Sequence, residues 1–86
     1  MSVAELKAEC IINNLHTNIL EANKAKEHEL TGYALRNNLS REAREHAAIR
    51  DAIDPEISKC NDEQTRIKRI LIKRKAKLDD ECSRVR

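Results

Sequence analysis

Three cysteines and three histidines are the side chains in this sequence best suited to metal binding or nucleophilic chemistry. Zinc sites join two closely spaced pairs of Cys or His, with two to five residues between the members of each. Cys10, Cys60 and Cys82 are widely separated, and with His16, His28 and His46 they do not supply two such pairs. Cys10 and His16 would meet a common ligand only by an accident of folding, so each histidine reads as a surface or helix-flank residue. An odd, scattered set of cysteines also does not suit a secreted disulfide framework, and reduced thiols in a cytoplasmic protein are the expectation. Glu27 with Glu29 and Asp79 with Asp80 are ordinary helix-surface acids. There is no Gly-rich phosphate loop, nucleophile elbow or HExxH pattern. The sequence therefore predicts no enzyme, no metal site and no cofactor.

The strongest local signal is basic. The stretch TRIKRILIKRKAKLDDE, from Thr65 to Glu81, holds seven basic residues between Arg66 and Lys77, with no acid among them. On a helix, Arg66, Arg69, Lys73 and Lys77 share an arc of about 80°, while Lys68 and Lys75 lie on the other flank. The aliphatic residues of the run belong to a different face. Ile57, Cys60, Gln64, Ile67, Leu71, Arg74, Leu78, Cys82 and Val85 recur at spacings of three and four, the signature of a packing seam over about four heptads. Gln64 and Arg74 interrupt it with polar groups. The Arg74 stem would lie along the seam with its head in water.

A basic helix back suits either an acidic protein surface or phosphates. The protein reading is preferred. The net charge is only +2, and Tyr33 is the sole aromatic residue. Aromatics that stack on bases are therefore missing. Acids also bracket the run: Asp62 and Glu63 before it, Asp79, Asp80 and Glu81 after it. A charge run can equally be a solvated face.

The elements that position these residues are helices. Ala, Leu, Ile, Glu, Lys and Arg dominate, with one Gly, one Pro and no Phe or Trp, the composition of long helices and coiled coils. Ser2 and Glu5 form a capping-box pattern. Ala4, Ala8, Ile11, Ile12, Leu15, Ile19 and Ala22 then fall on one stripe of a first helix, leaving the polar side around Asn13, Asn14, Thr17 and Asn18 as its exposed face. The stripe weakens at Lys26 and resumes at Leu30 and Tyr33. Gly32 marks the expected end of this helix. Asn37 and Asn38 are poor helix residues, and Ser40 followed by Glu42 would cap a fresh start, so a break near residues 37–40 is a further expectation. Leu35, Leu39, His46, Ile49 and Ile53 share a face of the second segment. Asp54-Pro55-Glu56 suits a helix start, with Pro in the first turn and an acid on the dipole.

The expectation is a single all-α domain over residues 1–86, with helical segments at about 3–30, 33–53 and 55–83. The first and last would each be about 40 Å long, a match that suits an elongated helical hairpin or a three-helix bundle with coiled-coil packing. Residues 1–32 carry net charge −2 and residues 54–86 net +3, so the last segment should pack on the first. Only 19 Val, Leu and Ile residues are available. A core this thin commonly needs a partner chain, and a homo-oligomer is expected. No apolar run approaches the roughly 18 residues of a membrane span, and the N-terminus lacks the apolar core of a signal peptide. Asn38-Leu39-Ser40 fits the glycosylation sequon by chance. The function that follows is a cytoplasmic, non-enzymatic protein–protein interaction module: an adaptor, inhibitor or assembly regulator. The alternatives are a nucleic-acid-associated regulator using the basic back, and a structural subunit that folds only within a larger complex.

Overall fold

The computed structural model describes residues 1–78. Two helices account for most of them: α1, Val3–Arg36, and α2, Ser40–Lys73, each of 34 residues. Among the described residues there is no strand. Cys82 and Val85 of the expected seam, and Asp79, Asp80 and Glu81 beyond the basic run, lie outside the described residues.

Both helices end in the same way, for a local reason. Asn38 (φ 59°) and Lys75 (φ 56°) take the left-handed conformation. At the end of α1 the Leu39 N–H donates to the Ala34 carbonyl (2.8 Å) and the Asn38 N–H to the Leu35 carbonyl (3.3 Å). At the end of α2 the Ala76 N–H donates to Leu71 (3.0 Å) and the Lys75 N–H to Ile72 (3.0 Å). These paired bonds are the Schellman arrangement, which satisfies carbonyls that a helix end otherwise leaves open. The α1 start is a capping box: the Glu5 N–H donates to Ser2 Oγ (3.1 Å), and the Ser2 N–H donates to the Glu5 carboxylate (3.4 Å).

The three expected segments are thus two helices. Gly32 does not end α1; it lies within it, with no positive φ. The break falls instead at residues 37–39, where Asn tolerates the left-handed turn. Pro55 lies inside α2. Its missing N–H leaves the carbonyl four residues back, at Asp51, without its usual helical donor, yet the helix continues. Buried residues on both sides hold it, Ile53 before the proline and Cys60 after it. The expected last segment is also shorter at its end: α2 stops at Lys73, and Arg74–Leu78 are outside the helix.

The chain divides into two compact units. The first joins Met1–Thr17 to the chain from Ser58 onward. Its core is Leu6, Cys10, Ile67 and Leu71, all buried, with Val3, Ile70, Ala76 and Leu78 packed against it. The C-terminal seam therefore packs on the N-terminal helical segment, as the opposite charges of the two segments favour. The Arg74 guanidinium also donates to the Met1 carbonyl. The second unit, Asn18–Ile57, is a helical hairpin. Leu20, Ala34, Ala43 and Ile53 are its buried apolar residues, and Thr31 is buried with them.

Candidate interaction surfaces

The buried face of α1 mixes apolar and polar residues. Leu6, Cys10, Asn13, Thr17, Leu20, Lys24, Glu27, Thr31 and Ala34 recur at spacings of four and three, and each is buried or half-buried. Asn14, beside this line, is 5% exposed, and Thr17 is 3% exposed. This corrects the reading of Asn13, Asn14 and Thr17 as surface residues; of that group only Asn18 is exposed. Burial is tolerated because the polar groups are answered. The Asn13 amide donates to the Cys60 carbonyl (2.6 Å) and to Gln64 Oε1 (3.0 Å). The hydroxyls of Thr17 and Thr31 donate to the carbonyls four residues back, at Asn13 (3.0 Å) and Glu27 (2.8 Å).

The opposite side of α1 is apolar and uncovered. Ala4, Ala8, Ile11, Ile12, Leu15, Ile19 and Ala22 are all exposed. Ile12, Leu15 and Ile19 show 58–60% of their surface and Ile11 46%. Isolated exposed aliphatics are ordinary on a protein surface. A continuous stripe on one helix face is not, and such stripes mark contact sites.

On α2 the seam residues sit inside: Cys60, Gln64, Ile67 and Leu71 are buried, and Ile57 is half-buried. Leu78, beyond the helix, is half-buried against the core. Arg66, Arg69, Lys73 and Lys77 are all exposed. Lys73 ends the helix and Lys77 follows it, so the helical arc holds for Arg66, Arg69 and Lys73. Arg66 is already engaged: its guanidinium forms a two-pronged contact with the Glu63 carboxylate, one prong at 3.1 Å. That hydrogen bond and charge hold the Glu63 carboxyl below, and the Arg66 guanidinium above, their ordinary values.

Other polar groups pair within each unit. In the first, Cys60 Sγ lies 3.5 Å from His16 Nδ1. The spacing of cysteines and histidines did not predict that encounter; it follows from the register that also brings Asn13 to Gln64. Cys60 is a free, buried cysteine. In the second, Glu27 lies 2.6 Å from His46 Nδ1, Lys24 2.6 Å from Asp54, and the Arg50 guanidinium donates to His28 Nδ1 at 3.2 Å. Lys24, His28, Arg50 and Asp54 line an open groove of about 430 Å³, in which Lys24 pairs with Asp54 and Arg50 with His28. Among the described residues, no group of three or more His, Cys, Asp or Glu side chains is arranged to hold a metal ion, and no helix is long and apolar enough to cross a membrane. No known protein family, curated protein or solved structure matches this chain.

Proposed function

We propose that this chain is a non-enzymatic protein–protein interaction module, an adaptor, inhibitor or assembly regulator, that works as an oligomer through its helix surfaces. One observation supports the reading: α1 leaves the apolar residues Ile11, Ile12, Leu15 and Ile19 exposed while it buries a mixed face that includes Asn14, Thr17 and Thr31. A helix normally buries its apolar stripe. A chain with few large aliphatics that leaves Ile11, Ile12, Leu15 and Ile19 in water keeps them for another surface. The basic residues Arg69, Lys73 and Lys77 form a second candidate contact, suited to an acidic protein surface. Nucleic acid is the weaker alternative, because Arg66 is tied to Glu63 and base-stacking aromatics are lacking.

Quantitative affinity enrichment from the source cells tests the proposal, with tagged wild type compared to an Ile11→Ser/Leu15→Ser variant. Protein partners, including untagged copies of this chain, should be lost with the variant. Equal enrichment by both forms would remove α1 as the working surface.

A further inference from the structure

We infer that the end of α2 in the first unit docks an acidic segment of a partner protein, whose aliphatic side chain covers Ile72 while its carboxylates answer Arg69, Lys73, Lys75 and Lys77. The inference rests on the proposed function for one premise, that the basic back contacts protein, and adds the chemistry of the segment that sits there.

Ile72 is the aliphatic residue that the seam leaves out. From Ser58 onward the other large aliphatics of α2 are turned inward: Ile67 and Leu71 are buried and Ile70 is half-buried. Ile72 is 54% exposed. Leu71 takes the seam position, and the next residue on a helix points about 100° away from it. The packing of the unit therefore does not account for an isoleucine at this place.

Cations surround it. Lys68 and Arg69 lie one helical turn before Ile72, Lys73 follows it, and Lys75 and Lys77 come directly after the helix. Arg69, Lys73, Lys75 and Lys77 are exposed. Among the described residues none of these four makes an ion pair, whereas Arg66 is held by Glu63. The sequence places no acid between Arg66 and Lys77. Like charges gathered in this way repel one another and attract a surface of opposite sign.

Charge sets the sign of the partner, and Ile72 selects its class. A phosphate backbone carries charge but has no aliphatic surface to cover an isoleucine, and this unit has no aromatic residue to stack on bases. An anionic bilayer holds a helix through a broad apolar face, and here α2 offers one isoleucine. An acidic protein segment supplies both groups together, a desolvated apolar contact at the centre and carboxylates at the rim, which is the usual layout of a protein interface. The rim pairs are exposed and individually weak, so affinity should fall as salt screens them.

Fluorescence anisotropy with the full chain tests this, using a short labelled peptide of single Leu residues between Glu pairs and a second peptide with Ser in place of Leu. Wild type should bind the Glu–Leu peptide about tenfold more tightly than the Glu–Ser peptide, and Ile72→Ser should remove that difference. Arg69→Gln/Lys73→Gln should weaken binding several-fold at low salt and leave little difference at high salt. Ile11→Ser/Leu15→Ser, on α1, should bind the peptide as wild type does. Far-ultraviolet circular dichroism should show the same helix content in every form, since all the substituted residues are exposed. Equal wild-type affinity for the two peptides, or an Ile72→Ser variant that still tells them apart, overturns the inference. So does tighter binding to phosphatidylserine vesicles or to duplex DNA than to the Glu–Leu peptide, which would assign this end of α2 to lipid or nucleic acid. If the peptide fails while enrichment through Ile11 and Leu15 persists, the inference falls and the proposed function stands. If that enrichment is absent as well, both fall.

Discussion

At the scale of single residues, Asn13 ties the two segments of the first unit together. Its amide donates both to the Cys60 carbonyl and to Gln64. A polar pair at a packed seam costs some stability but fixes which residues face each other. Asn13→Ala removes both bonds and should cost about 1–3 kcal/mol, read as a lower urea midpoint with an unchanged slope. Gln64→Leu removes the bond to Asn13 but leaves Asn13 bonded to Cys60, and it adds apolar volume between Cys60 and Ile67. It should cost less than Asn13→Ala, with looser register, visible as broadened amide resonances. A cost as large as that of Asn13→Ala would mean that Gln64 holds the seam by itself. Glu63 offers a titration. Its folded carboxyl is held below the ordinary value, chiefly by the hydrogen bond from Arg66 and then by its charge. The contribution to stability is therefore present above the ordinary carboxylate range and lost as pH falls through the folded value. Because the pair is exposed, the contribution is small. Arg66→Gln should move the Glu63 carboxyl back upward in an NMR titration while leaving the unfolding midpoint at neutral pH almost unchanged.

At the scale of elements, Pro55 is the clearest irregularity. Proline in a helix interior costs about 3 kcal/mol relative to Ala, and this one is exposed within α2. Pro55→Ala restores a donor for the Asp51 carbonyl. It should stabilise the chain by about 1–3 kcal/mol, and each kcal/mol raises the melting temperature of a domain this size by about 4–8 °C. A lower melting temperature would mean that the proline shapes α2 in a way its packing requires. Pro55 and Gly32 also show why the element boundaries were hard to read. Both are strong local stop signals, and both are overridden by the buried residues on either side. The α2 seam was legible from Ile57 to Leu71 because apolar character and spacing of three and four coincide there. The α1 packing face was not legible. Its buried line passes through Asn13, Thr17, Lys24, Glu27 and Thr31 as well as Leu6, Cys10, Leu20 and Ala34, whereas the apolar stripe from Ala4 to Ala22 lies on the other side. A helical wheel finds the apolar face, and in α1 that is not the face turned to the rest of the chain. The capping box at Ser2 and the turn residues Asn37 and Asn38 were readable because cap chemistry is local and packing does not overrule it.

At the scale of the whole molecule, the basic back and the apolar stripe make separate predictions, since one is on α2 and the other on α1. Arg66, Arg69, Lys73 and Lys77 are exposed, so replacing all four with Gln should preserve helix content, Gln having nearly the same helix propensity. Binding of duplex or single-stranded probes should be weak and non-specific in both forms at physiological salt. A wild type that binds with a steep salt slope, lost in the variant, would instead favour the nucleic-acid function. The stripe predicts how the chain melts. A dimer that forms only from folded chains is stabilised by mass action, so its melting temperature rises with protein concentration. The seam contacts within each chain do not depend on concentration. Wild type should therefore melt at higher temperature as concentration increases across the micromolar range. Leu15→Glu should melt at a fixed temperature, close to that of dilute wild type, because replacing a side chain 58% exposed changes the stability of the chain itself by only about 0.5 kcal/mol. If Leu15→Glu instead melts far below dilute wild type, Leu15 supports the fold of the single chain, and the outward face of α1 contributes to folding as well as to contact.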